Sequence, residues 1–155
     1  MTIRTSFLAL AALAAAFSAA PPAIAQDLPF PVEARQGQMK LMGLNLGTLV
    51  SMARGDADYD AETAQAAADN LVALSSIDQR FSWPEGTDNM ALIGTRALPE
   101  IWESRADFDE KYQALGAAAG GLAAAAGGGL DQMRGALGPV GAACGACHDT
   151  YQAED

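Results

Sequence analysis

Four stretches of the chain carry apolar side chains at alternating steps of three and four, the period of one helix face. The first runs Val32, Arg35, Met39, Met42, Leu46, Leu49, Ala53 and is ended by Arg54-Gly55-Asp56. The second, rich in alanine, is predicted from Asp60 to Ile77, with Asp60 as N-cap and Ala64, Ala67, Leu71 and Leu74 facing inward. The third runs Phe108, Tyr112, Leu115, Ala119, Leu122, Ala126, and Gly127-Gly128-Gly129 stops it. The fourth runs Leu130, Met133, Leu137, Val140, Cys144, Cys147, Tyr151. Pro139 is expected to kink or restart it, because proline lacks an N–H and clashes one turn back.

Strand signals are weak: there is no sustained alternation and no Asn-Gly or Asp-Gly hairpin turn. The pattern therefore predicts an all-α fold, and four inward seams imply a helix bundle. Between the second and third seams, Arg80 to Pro99 contains Trp83-Pro84, Gly86 and Gly94, and reads as a long connection with no regular element of its own. Connections of that length in a compact domain usually serve a function.

The N-terminus adds a processing signal. Arg4 precedes an apolar run from Phe7 to Ala20, followed by Ala23-Ile24-Ala25, a small-x-small site. Residues 1–25 are thus expected to be a signal peptide cleaved after Ala25, leaving 26–155 as one periplasmic domain. The mature chain keeps 8 basic and 19 acidic residues, a formal charge of −11. Such a charge argues against nucleic acid and anionic membranes as partners and favours a basic protein. The uncharged stretch from Tyr112 to Leu130 is mostly Ala and Gly, so it reads as a tightly packed helix face and not a membrane span.

The candidate chemistry lies in Cys144-Gly145-Ala146-Cys147-His148. On a helix, positions separated by three and four share a face, so two sulfurs and an imidazole point the same way. Each thiol can form a thioether to a vinyl group while the imidazole nitrogen reaches iron, which is c-type haem attachment. Competing readings each lack a part. A thioredoxin-like pair needs a βαβ context, and zinc wants four ligands where this chain has two Cys and one His. A disulfide across three residues would close a very small loop and stabilise little. With His148 the single histidine, a second axial histidine is excluded. Met39 and Met42, inward on the first seam, are candidate thioether ligands, although methionine at such positions is also ordinary core filler. Arg35, also inward, would be costly without a partner, and a haem propionate would supply one unless the side chain reaches solvent from the first turn. Trp83 is a candidate for the pocket wall, and Trp102 for packing.

Three segments resemble the class II c-type cytochromes, cytochrome c-prime and its low-spin methionine-ligated relatives such as cytochrome c-556. They are Arg35-Gln36-Gly37-Gln38-Met39-Lys40, Ala97-Leu98-Pro99-Glu100-Ile101-Trp102, and the C-terminal Cys144 to Tyr151. The resemblance implies a left-handed antiparallel four-helix bundle, often dimeric through helices one and two, with one covalent haem c. It further implies that Arg35 and Gln36 lie beside the haem and its propionates, with Met39 over the iron. In cytochrome c-prime that residue blocks the iron without bonding and small gases displace it; in the low-spin relatives a helix-one Met coordinates. Gln152 stands where cytochrome c-prime usually carries Arg or Lys, a departure that tilts the reading toward electron transfer. No acid-base pair or second cofactor motif is evident. The expectation is an electron carrier with a redox partner protein, not an enzyme; the alternative is a high-spin protein binding nitric oxide or carbon monoxide.

Overall fold

The computed structural model of the chain describes residues 27–154. The expected signal peptide lies outside them. Four long helices form the bundle: α1 (Phe30–Arg54), α2 (Ala61–Ser75), α4 (Arg105–Ala126) and α5 (Leu130–Tyr151), with a single-turn α3 (Glu100–Glu103) leading into α4. They make an all-α antiparallel four-helix bundle. Among the described residues no helix is long and apolar enough to cross a membrane.

Local chemistry sets the helix ends. Glu33 in the first turn and Arg54 in the last both complement the α1 dipole. Gly55 then takes the left-handed conformation, at φ 82°, that an N–H turned back on the carbonyls of Ser51 and Met52 requires. The Asp60 carboxylate accepts from the Thr63 N–H at 2.8 Å, capping α2 as its sequence suggests.

Two expectations are corrected. The α5 helix runs unbroken through Pro139. Pro139 and Gly135, whose carbonyl would have received the missing N–H, are both exposed, so water can meet that carbonyl. Secondly, the buried row of α1 adds Gln38 and Met52 to Val32, Arg35, Met42 and Leu49, while Met39, Leu46 and Ala53 face inward as expected, half-buried against the main core. A 3.6-residue helix drifts against a strict three-four seam, and α1 faces both α2 and α5.

The core divides in two. The larger cluster mixes alanines with bulkier side chains, Ala64, Ala68, Ala119, Leu122, Ala126 and Met133 from α2, α4 and α5 being fully buried together with Leu49 from α1. The smaller joins Ala97, Ile101, Phe108 and Tyr151 at the C-terminal end of α5. The long connection begins with a 3₁₀ turn at Gln79–Phe81, not an irregular segment, and ends pinned to α5. There the Leu98 N–H donates to the Tyr151 carbonyl at 3.0 Å and the Ala153 N–H to the Arg96 carbonyl at 2.8 Å.

Candidate functional site

Helices α4 and α5 pack along each other closely, as do α2 and α4, whereas α1 and α5 meet over only a short stretch. Between them opens a cavity of about 600 Å³ with mainly apolar walls. That volume lies in the range of cofactor pockets. Cys144, Cys147 and His148 line it from α5, Met39 and Met42 from α1. Both thiols are free and half-buried. Burial pushes the Cys144 and Cys147 thiols up. Paired thiols, one imidazole and apolar walls are what a covalently attached porphyrin requires, so the residues present fit haem c.

Arg35 is 2 % exposed yet fully engaged with the long connection, a circumstance its sequence position does not reveal. Its guanidinium donates to the Thr87 hydroxyl at 2.8 Å, to the Thr87 carbonyl, and to the Thr95 hydroxyl at 3.0 Å. It also lies 4.4 Å from the centre of the Trp83 ring, a cation–π contact. Burial lowers its pKa to about 10, with Asp88 opposing, so it is cationic at neutral pH. The expectation that burial alone would demand a propionate is therefore revised, as is the reading that Arg35 snorkels to solvent. The connection supplies neutral acceptors, while Arg35 still lines the cavity. Gln36 makes the next contact, donating to the Gly94 carbonyl at 2.7 Å. Together they clamp residues 82–95 against α1, with Trp83 forming part of the cavity wall.

A second polar cluster went unseen in the sequence. Gln38 donates to the Tyr112 hydroxyl and, at 2.8 Å, to the Leu74 carbonyl, while Trp83 donates to Gln79 at 3.0 Å. The signal was faint: Gln38 lies three residues from Arg35 and four from Met42, on the buried row. Lys111, which also lines the cavity and was not singled out, pairs with Asp107 at 3.6 Å. Trp102 donates to the Trp83 carbonyl at 3.1 Å, so it braces the wall from behind.

Residues 31–152 match the family model described as Cytochrome C'. The chain is similar to cytochrome c-554 of Cereibacter sphaeroides, 43 % identical over 93 % of this chain and 97 % of that protein. Its fold is similar to the solved cytochrome c' from Rhodobacter Spheriodes, with a TM-score of 0.78 and 37 % identity over 81 % of this chain and 96 % of that one. It is also similar to a nitric oxide complex of a mutant cytochrome c prime from Alcaligenes xylosoxidans, with a TM-score of 0.70 and 37 % identity over 81 % and 94 % of the two chains.

Proposed function

The chain belongs to the cytochrome c′ family, the class II c-type cytochromes, and from that premise we propose that it is a periplasmic electron carrier with one covalent haem c. The convergence of Cys144, Cys147 and His148 with Met39 and Met42 on one apolar cavity carries this reading. When bound, the haem supplies an iron that cycles between ferric and ferrous states. Cys144 and Cys147 would hold it through thioethers, and His148 would ligate the iron from α5. Met39, or Met42 in its place, would provide a thioether from α1, a ligand type that raises the reduction potential. Arg35 and Gln36 keep the 82–95 segment closed over the cavity edge, excluding water and placing a positive charge nearby. The carrier reading, as opposed to an enzyme, is supported by the donor set of the cavity, two cysteines, one histidine and two methionines suited to holding and ligating a haem. Net charge favours a basic redox partner, and family likeness favours a homodimer.

A second reading has its own observation. Met42 is 8 % exposed and packs with the main core, so it can serve as filler and leave the sixth iron position to a gas. The nitric oxide complex of the structural neighbour supports that alternative.

Optical spectra of the ferric and ferrous holoprotein, with and without carbon monoxide, separate the two. A low-spin spectrum indifferent to carbon monoxide, with a far-red methionine band lost in Met39→Leu, is the expected result. Loss in Met42→Leu instead would move the ligand three residues, less than one turn, along α1. A high-spin spectrum that shifts with carbon monoxide would replace electron transfer by gas binding.

A further inference from the structure

Three tyrosines occur in the chain, and their hydroxyl partners differ in kind. Tyr59 donates to the Ala126 carbonyl at 2.8 Å and lies away from the cavity. Tyr112 lines the cavity, but its hydroxyl accepts from Gln38 and donates at 3.2 Å to the Leu74 carbonyl. A peptide carbonyl is too weak a base to take a phenolic proton. Tyr151 also lines the cavity, one turn beyond Cys147, and its hydroxyl donates at 2.6 Å to a carboxylate oxygen of Asp107. A longer contact, 3.4 Å, runs to the Ser104 carbonyl.

We propose that Tyr151, with Asp107 as its proton acceptor, is a built-in one-electron donor to the haem site, used when a peroxide is reduced there. The proposal rests on the haem reading of the cavity in its second form, with Met42 as core filler and the sixth iron position open to a small ligand. Burial first, and Asp107 second, push the Tyr151 phenol up to about 12, so the proton does not leave by itself. Removal of an electron makes a phenol strongly acidic, and the 2.6 Å bond then passes the proton to Asp107. The Asp107 side chain is 51 % exposed, with Lys111 Nζ 3.6 Å from the same oxygen, so the proton can continue to solvent. The ring itself is shielded: Tyr151 is 3 % exposed and stands edge-on to Phe108 at 5.4 Å. A radical formed there is separated from solvent by packed aromatic side chains, Trp83 lying 4.9 Å beyond Phe108.

The electrons and atoms balance. Reduction of hydrogen peroxide breaks the O–O bond and needs two electrons and two protons to form two water molecules. Ferrous iron supplies one electron and becomes ferric; Tyr151 supplies the other and becomes a neutral radical. One proton is that of Tyr151, released through Asp107, and the second comes from solvent. The device completes a two-electron reduction without oxidising the iron beyond the ferric state.

The test mixes ferrous holoprotein, its haem content verified optically, with one equivalent of hydrogen peroxide under anaerobic conditions and freezes it for electron paramagnetic resonance. A tyrosyl signal is expected, retained in Tyr59→Phe and Tyr112→Phe and abolished in Tyr151→Phe. Asp107→Asn, which removes the base, is expected to slow radical formation by about 100-fold. A signal that persists in Tyr151→Phe, a tryptophan signal lost in Trp83→Phe, or no protein radical at all would overturn the proposal. If Tyr151→Phe does not fold, a signal lost in the Tyr59→Phe, Tyr112→Phe double variant overturns it equally. Protein that carries no haem would overturn the cavity reading and this proposal with it, a failure visible before peroxide is added.

Discussion

The bundle is built in two manners. Where α2, α4 and α5 meet, small side chains let the helices approach closely, and Ala64, Ala119, Leu122 and Met133 are completely buried. Between α1 and α5 the helices stand apart around a cavity of about 600 Å³, and the side chains facing it, Met39 and Cys144 among them, are half-buried. Interiors of proteins are normally packed to crystal density, as the first region is by its own side chains, whereas the second is shaped to take a group of cofactor size. The open region is closed laterally by the 82–95 segment, which Arg35 holds by hydrogen bonds and a cation–π contact. One chain thus carries a half packed on itself and a half arranged around a cavity whose residues fit haem c.

The largest effect should come from withholding the cofactor. Cys144→Ser with Cys147→Ser is expected to prevent covalent haem retention, seen by mass spectrometry. It should lower stability by about 4 kcal/mol or more, the scale for a ligand present at a thousand times its dissociation constant. Hydrogen exchange should show protection lost in α1 and the 82–95 segment, while α2 and α4 keep theirs. Equal loss throughout would erase the distinction between the halves.

Leu122→Ala tests the sealed half. It should cost about 3 kcal/mol in urea unfolding, because a fully buried leucine leaves a cavity its neighbours fill only in part. The haem spectrum should be unchanged. Arg35→Met tests the closure. Loss of several charge-assisted hydrogen bonds should cost about 2 kcal/mol and expose the 82–95 segment to proteolysis at a rate the Leu122 variant does not share.

The smallest effect belongs to the α2 cap, which both halves share. The hydrogen bond from Thr63 holds the Asp60 carboxyl below its ordinary 3.8. A depressed folded-state pKa gives stability that is present above the unfolded value and lost as pH falls through the carboxylate range. Asp60→Ala should therefore lower Tm slightly at pH 7, and thermal melts should show the difference vanishing in acid.

Much of this was legible in the residues. The four seams named the four long helices, Gly55 and Gly127 marked the ends of α1 and α4, and the third seam was recovered almost residue for residue. The cysteine pentapeptide announced its own geometry, since its three groups share one turn. These features are local: a 3.6-residue period, a cap and a spacing of three or four depend only on neighbours along the chain. What only the tertiary structure decided depends on partners far apart in sequence. Arg35 meets Thr87 and Thr95 across separations of 52 and 60 residues, Gln38 meets Tyr112 across 74, and Tyr151 meets Asp107 across 44. Sequence reasoning saw a buried arginine and a propionate as its partner; packing adds hydroxyls, carbonyls and an indole that no local pattern announces. It also allowed for Pro139 restarting a helix that in fact runs continuously through it, with Pro139 and Gly135 exposed. Periodicity specifies which face of a helix turns inward, but not which polar groups meet there, because that choice is made by the path of the connections after the helices have packed.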